Sequence, residues 1–183
     1  MILILSAPSG TGKNTIIRAL KELRSDVVHA ISTTTRPVRN KEQDGVDYYY
    51  VSRLEFIQMI QNRDFLEWAP VLENYYGTSL NEIERIKKIH KIAVLDIDVQ
   101  GALQVKKNDP EAILVFLTPP SLQELKERLI GRATENLAQI QERLELASEE
   151  IKYKDDYDYH IVNDEVAITV GKIEEIIEKH KQS

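Results

Sequence analysis

Short apolar runs alternate along the chain with segments whose apolar residues recur at spacings of three and four. Ile2–Leu5, Val27–Ile31, Ile92–Ile97, Ile113–Leu117 and Tyr159–Val162 are brief and apolar, as strands buried on both faces are. Thr15–Leu23, Leu122–Leu129, Leu137–Ile151 and Val166–His180 carry the helical period. The alternation predicts an α/β fold, a five-stranded parallel sheet covered by helices in three layers. Residues 32–80 break the rhythm. Asn40–Gly45 reads as a loop, Tyr48–Val51 and Leu66–Val71 as strands, and Leu54–Asn62 as a short helix, so this stretch is expected to form an inserted lobe. The polar segment Gly131–Asn136 interrupts two helices and is expected to belong to a lid.

Composition narrows the picture. The chain has 183 residues and 42% hydrophobic content, enough for one domain with its own core. It has no cysteine, which excludes disulfides and cysteine-based zinc sites and fits a reducing cytosol, hence a cytoplasmic location. Met1–Leu5 is too short for a signal peptide or membrane span, and no other apolar run reaches spanning length, so no membrane partner is expected. A net charge of -6 argues against a nonspecific nucleic-acid binder. It leaves room for one nucleotide held by a local cluster of cations. No motif specifies an oligomeric state.

The sharpest local signal is Ser6-Ala7-Pro8-Ser9-Gly10-Thr11-Gly12-Lys13-Asn14-Thr15, between the first strand and the first helix. Glycines let successive N–H groups curl inward toward phosphate oxygens, the helix N-terminus adds partial positive charge, and Lys13 supplies a point charge for the β- and γ-phosphates. The segment departs from G-x-x-x-x-G-K-[ST] at two places. Ala7 stands where glycine is usual, a mild change if its φ is negative. Asn14 stands where a hydroxyl normally ligates Mg²⁺, and its amide oxygen is a hard neutral alternative.

A run of hydroxyls ending in two arginines, Ser32-Thr33-Thr34-Thr35-Arg36-Pro37-Val38-Arg39, suits a phosphate monoester. It is followed in order by Asp44-Gly45-Val46-Asp47-Tyr48, Phe65-Leu66-Glu67-Trp68, Asn74-Tyr75-Tyr76-Gly77-Thr78 and Leu95-Asp96-Ile97-Asp98-Val99-Gln100-Gly101. Pro119-Pro120-Ser121, Gly131-Arg132 with Arg143, and Ile161-Val162-Asn163-Asp164 complete the set. In this order the blocks closely resemble the guanylate kinase family over nearly the whole chain.

The resemblance implies a single domain in three parts: a P-loop core (1–31, 81–118 and 155–183), a GMP-binding lobe (32–80) and a lid (about 119–154). It implies transfer of the γ-phosphoryl group of ATP to GMP or dGMP, with Mg²⁺ accompanying ATP. Carried over position by position, Arg36, Arg39, Tyr48 and Tyr76 would hold the GMP phosphate, and Ser32, Glu67, Thr78 and Asp98 would recognise guanine. The loop Ala7, Pro8, Ser9, Gly10, Thr11, Gly12, Lys13, Asn14 and Thr15 would hold ATP, with Asn163 near its base. Lys13, Arg36, Arg128, Arg132 and Arg143 would serve the transferring group, and Asn14 would be the metal-facing residue. Ala133, where the family usually has glycine, is expected to stiffen lid closure.

The chemistry of the bases agrees. Guanine offers adjacent N1–H and N2–H₂ donors to a carboxylate, whereas adenine would face Glu67 with a lone pair and leave a buried acceptor unpaired. Two other readings stay open on these residues. One is a guanylate-kinase-like binding module, for which Asn14 is the reason; the other is a kinase of a different phosphomonoester, such as a phosphorylated sugar. Trp68 is expected to pack the lobe, His29 and His160 to be structural, and Asp155–Asp158 to form a solvated loop.

Overall fold

The computed structural model describes residues 1–89, 91–131 and 137–181. Arg132 and Ala133 therefore lie outside the described residues. The fold is α/β, with a five-stranded sheet in the order β2-β7-β1-β8-β9. Its strands are β1 (Ile2–Ser6), β2 (Val27–His29), β7 (Ile92–Asp96), β8 (Ile113–Thr118) and β9 (Tyr159–Val162). Pairings of β2 with β7 and of β8 with β9 are parallel. All five coincide with the apolar runs of the sequence. β2 stops early because the Ile31 N–H is given to the Glu82 carboxylate at 3.0 Å instead of continuing the ladder.

Contacts divide the chain into two compact units. One comprises Met1–Ile4 and Asp26–Ile113. It contains a four-stranded sheet ordered β4-β3-β6-β5, built from β3 (Thr33–Thr34), β4 (Tyr49–Tyr50), β5 (Phe65–Val71) and β6 (Asn74–Ser79). Helix α2 (Arg53–Asn62) packs on it through Phe56, which is fully buried and stacks on Phe65 at 4.4 Å and Tyr75 at 5.4 Å. Trp68 meets Tyr75 edge-on and packs this lobe, as expected.

Two helices of this unit go beyond the sequence-based expectation: α3 (Leu80–Lys88) and α4 (Val99–Asn108). α3 is short but built from helix-favouring residues in an amphipathic pattern, and only α4 is locally weak. α3 buries Ile83 and Ile86 as its apolar residues, whereas α4 opens on a β-branched valine and holds Gly101. End caps support both. Ser79 caps α3 by accepting the Glu82 N–H, and Asp98 caps α4 by accepting the Gly101 N–H at 2.8 Å. Ser-x-x-Glu recurs at Ser52, Ser79 and Ser121, and each of these serines caps a helix.

The second unit comprises Leu5–Ser25 and Leu114–Ser183. Here α1 (Lys13–Leu23) packs against α7 (Val166–Lys181), and α5 (Leu122–Ile130) against α6 (Leu137–Ile151). Leu125, Leu129, Ile140 and Ala147 form one buried cluster between α5 and α6. Asp155, Asp156 and Asp158 are exposed, as their charge suggests, but the run is more ordered than a loop. A 3₁₀ turn covers Lys152–Asp156, Tyr157 is buried against Phe116 at 5.0 Å, and the Asp158 carboxylate accepts the Leu114 N–H at 2.9 Å. His160 is structural, its ring within 2.8 Å of the Thr118 hydroxyl.

Phe56 anchors the lobe by stacking on two aromatic rings, so Phe56→Ala is expected to cost about 3–5 kcal/mol in unfolding free energy. Urea denaturation followed by circular dichroism measures it.

Candidate active site

In the second unit, the turn between β1 and α1 is a phosphate loop in shape as well as in sequence. Gly10 and Gly12 adopt φ of 95° and 98°, which favour glycine, and a Cβ on Gly10 would meet Leu129 Cδ2 at 2.9 Å. Ala7 is not among the residues with positive φ, so alanine is tolerated there without backbone strain. Gly12 begins α1 with no side-chain cap, the Thr15 N–H turns back to the Gly12 carbonyl at 3.0 Å, and Lys13 is the first helical residue. Asn14 and Thr15 are exposed on the same turn.

Three of the predicted side chains grip this loop. Asn163 is buried, donates its amide to the Thr11 carbonyl at 2.7 Å and accepts the Thr169 hydroxyl at 3.0 Å. Its side chain thus braces the loop. Arg128 donates to the same carbonyl at 3.2 Å while paired with Glu124. Arg143 reaches the Ser9 hydroxyl at 2.6 Å.

In the first unit, a cleft of about 190 Å³ is lined by Ser32, Tyr48, Glu67, Tyr76 and Asp98, five of the predicted residues. Asp96 and Ile97, which follow the same strand end, line it as well. Glu67 is the chemical centre. It is 4% exposed and accepts the Thr78 N–H at 2.7 Å. Burial pushes its pKa up, the Thr78 hydrogen bonds oppose that, and the nearby Asp98 charge adds to it. Asp98 itself is exposed, with one carboxylate oxygen committed to the Gly101 N–H.

Arg36 is buried and sits 5.3 Å from the ring of Tyr48 and 5.8 Å from that of Tyr50. Glu42 holds its fork at both ends, with Nη1 to Oε2 at 3.0 Å and Nη2 to Oε1 at 2.9 Å. Glu42 also accepts the Arg39 N–H at 2.8 Å and the Tyr50 hydroxyl at 2.8 Å. The Arg36 guanidinium first, and then the Arg39 amide, hold the Glu42 carboxyl at about 2 against an ordinary 4.5. The Arg39 side chain is exposed. Thr78 is buried beside Glu67 and meets it through the backbone.

Glu42 and Tyr50 are participants that the sequence reading missed. Glu42 lies in a stretch read only as a loop, yet a signal is there. Its side chain takes the Arg39 N–H three residues back, as the glutamate of a capping box does, while its own N–H donates to the Arg39 carbonyl at 3.1 Å in a turn. Among the described residues no group of three or more His, Cys, Asp or Glu could hold a metal.

These features can be set beside known proteins. A family model described as guanylate kinase matches residues 1–180. The guanylate kinase of Latilactobacillus sakei subsp. sakei (strain 23K) is 44% identical over 179 residues, 97% of this chain and 88% of the relative. That of Listeria monocytogenes serovar 1/2a is 48% identical over 179 residues, 97% of this chain and 87% of the relative. The crystal structure of guanylate kinase from Anaplasma phagocytophilum superposes with a TM-score of 0.78 at 33% identity, covering 100% of this chain and 87% of that one.

The Arg36–Glu42 pair has a defined pH window. Because the Glu42 pKa is depressed, its contribution to order is complete above 4.5 and is lost as pH falls through about 2. The Glu42 carboxyl carbon, followed by NMR, is expected to titrate near 2 in the native chain and to move toward 4.5 in Arg36→Ala.

Proposed function

The chain belongs to the guanylate kinase family, the kinases that phosphorylate GMP from ATP, and on that premise we propose which of its residues read the acceptor and which serve the donor. The observation that carries the acceptor assignment is the buried Glu67 carboxylate in the cleft of the first unit. A desolvated carboxylate is stabilised by a ligand that brings two adjacent N–H donors, and guanine does so through N1–H and N2–H₂. The Thr78 amide takes one lone pair of Oε1, which leaves acceptor capacity on both oxygens. Adenine presents a lone pair at N1 and leaves the buried acceptor unpaired, so AMP is rejected. Ser32, Thr78 and Asp98 complete the guanine-reading group.

The acceptor phosphate is held by Arg36, Arg39, Tyr48 and Tyr76. Glu42 orients the Arg36 fork, and the Tyr48 face lies against the same guanidinium. A phosphate monoester has its second pKa near 6, so its attacking oxygen is already ionised at neutral pH and no general base is required. Catalysis then rests on alignment and charge neutralisation. The loop from Ala7 to Thr15 holds ATP, and Lys13, Arg128, Arg132 and Arg143 meet the charge of the transferring group. Asn163 supports the donor site by holding the Thr11 carbonyl.

Mg²⁺ accompanying ATP would neutralise charge on its phosphates. Asn14 fits a role facing it, because its amide is exposed on the first turn of α1 and offers a hard oxygen. The four-stranded sheet supports residues 32–80 as the acceptor lobe, and the contact of Arg143 with Ser9 supports 119–154 as the lid. We place the activity in the cytoplasm, on the reading that a chain without cysteine fits a reducing compartment. No helix among the described residues is long and apolar enough to cross a membrane.

A coupled assay of ADP release, with GMP, AMP, CMP and UMP offered separately with Mg-ATP, tests this reading. Turnover confined to GMP is the expected result; equal turnover with AMP would overturn the role of Glu67. A second outcome follows from its raised pKa. GMP binding needs the ionised carboxylate, so KM for GMP is expected to climb with acidification from a pH above the ordinary 4.5, more steeply than KM for ATP, which changes only through its terminal phosphate. In Glu67→Gln that limb should vanish, leaving only the titration of the GMP phosphate.

A further inference from the structure

β5 is the outermost strand of the four-stranded sheet, so one side of its backbone has no strand partner. Helix α4 supplies one from its side chains. The Gln104 amide acts as a strand edge would: its Oε1 accepts the Trp68 N–H at 3.3 Å and its Nε2 donates to the Trp68 carbonyl at 3.0 Å. Asn108 Nδ2 donates to the Leu66 carbonyl at 2.8 Å. These bonds flank Glu67 on both sides in sequence. Gly101, Gln104 and Asn108 follow one another at spacings of three and four, so they share one face of α4. That face lies so near the carboxylate that a Cβ on Gly101 would come within 2.9 Å of Glu67 Oε2.

The grip falls on an irregularity. Phe65 pairs with Ser79 and Glu67 with Thr78, so two steps along β5 match one step along β6, and Leu66 is the extra residue of a bulge. In a regular strand, positions 65 and 67 would point to the same face. Here Phe65 stacks on Phe56 with the aromatic cluster, whereas Glu67, Ala69 and Val71 line the cleft. The bulge therefore decides that the carboxylate faces the cleft, and the backbone groups on either side of Glu67 are the ones that Gln104 and Asn108 hold.

We propose that Gln104 and Asn108 are positioning residues for base selectivity, which clamp the β5 bulge and thereby aim the Glu67 carboxylate at the two N–H donors of guanine. The proposal rests on the reading of Glu67 as the guanine-binding group. Neither residue touches the base; each acts through the backbone that carries Glu67. Gln104 matters more, because it makes two of the three bonds. Loss of the clamp leaves the Trp68 N–H and carbonyl without partners and lets β5 relax its phase at Leu66.

The experiment compares kcat/KM for GMP and for IMP, which keeps N1–H but lacks the 2-amino group, in Gln104→Met, Asn108→Leu and Glu67→Gln, with KM for ATP measured in each. Gln104→Met keeps side-chain length without either hydrogen bond. The expected result is a fall in the GMP-to-IMP ratio of roughly tenfold in Gln104→Met and less in Asn108→Leu, about what the loss of one or two net hydrogen bonds represents. KM for ATP should stay within about twofold, since a general loss of folded enzyme lowers both acceptors together and leaves the ratio unchanged. If Glu67→Gln lowers the ratio while folded Gln104→Met keeps the native value, the clamp is overturned and the guanine reading stands. An unchanged ratio in Glu67→Gln overturns the guanine reading and the clamp with it. Should Gln104→Met fail to fold, Asn108→Leu carries the same test, and an unchanged ratio there overturns the clamp.

Discussion

A carboxylate removed from water must be met by donors, and the acceptor half of this protein is arranged around that requirement at Glu67. The side chain sits in the wall of a cleft with one fixed donor, the Thr78 amide, and with the Asp98 charge nearby making ionisation harder. In linkage terms a raised carboxylate pKa means that the ionised form favours the unfolded chain. Glu67 therefore costs stability near neutral pH, and its burden eases as pH falls through its raised pKa. The fold carries that burden with the bulged β5 strand, the close approach of Gly101 and the aromatic cluster beneath. On the proposed reading, that cost is recovered when a base with two adjacent N–H groups supplies the missing donors.

The phosphate side of the same unit solves the opposite problem, a buried cation. Arg36 is stabilised by a bidentate carboxylate and two tyrosine rings. Glu42 accepts from the Arg36 fork, the Arg39 amide and the Tyr50 hydroxyl together, so it ties the 36–42 turn to β4. The burial that raises Tyr50 to about 12, helped by its bond to Glu42, keeps that phenol a donor throughout the working pH range. Order in this turn is thus electrostatic, in contrast to the aromatic packing of α2 on the sheet.

The donor half depends on backbone conformation more than on charge. Two left-handed glycines set the curl of the loop, and Asn163 and Arg128 converge on one carbonyl, that of Thr11, to hold it. Asn163 spends both ends of its amide on this support, donating to Thr11 and accepting from Thr169. Replacement of the usual glycine by Ala7 leaves this curl intact because that position does not need a positive φ.

Much of this was legible in the chain itself. Apolar runs of four to six residues located all five strands of the large sheet, most sharply β1, β7 and β8, which are buried on both faces and hold almost no polar position. Gly10, Gly12 and Lys13 marked the turn that the structure curls between β1 and α1, and five residues that the resemblance implied, Ser32, Tyr48, Glu67, Tyr76 and Asp98, line one cleft. Tertiary structure decided the rest. Helix α4, with Gly101 and two valines, is weak by local propensity and is held by its Asp98 cap and by burial. Glu42 looked like one more charge in a loop, and only folding brings its two oxygens to Arg36. The facing of Glu67 hangs on a bulge at Leu66, which no alternation of side chains announces, because a bulge is a mismatch between two strands and neither strand encodes it alone.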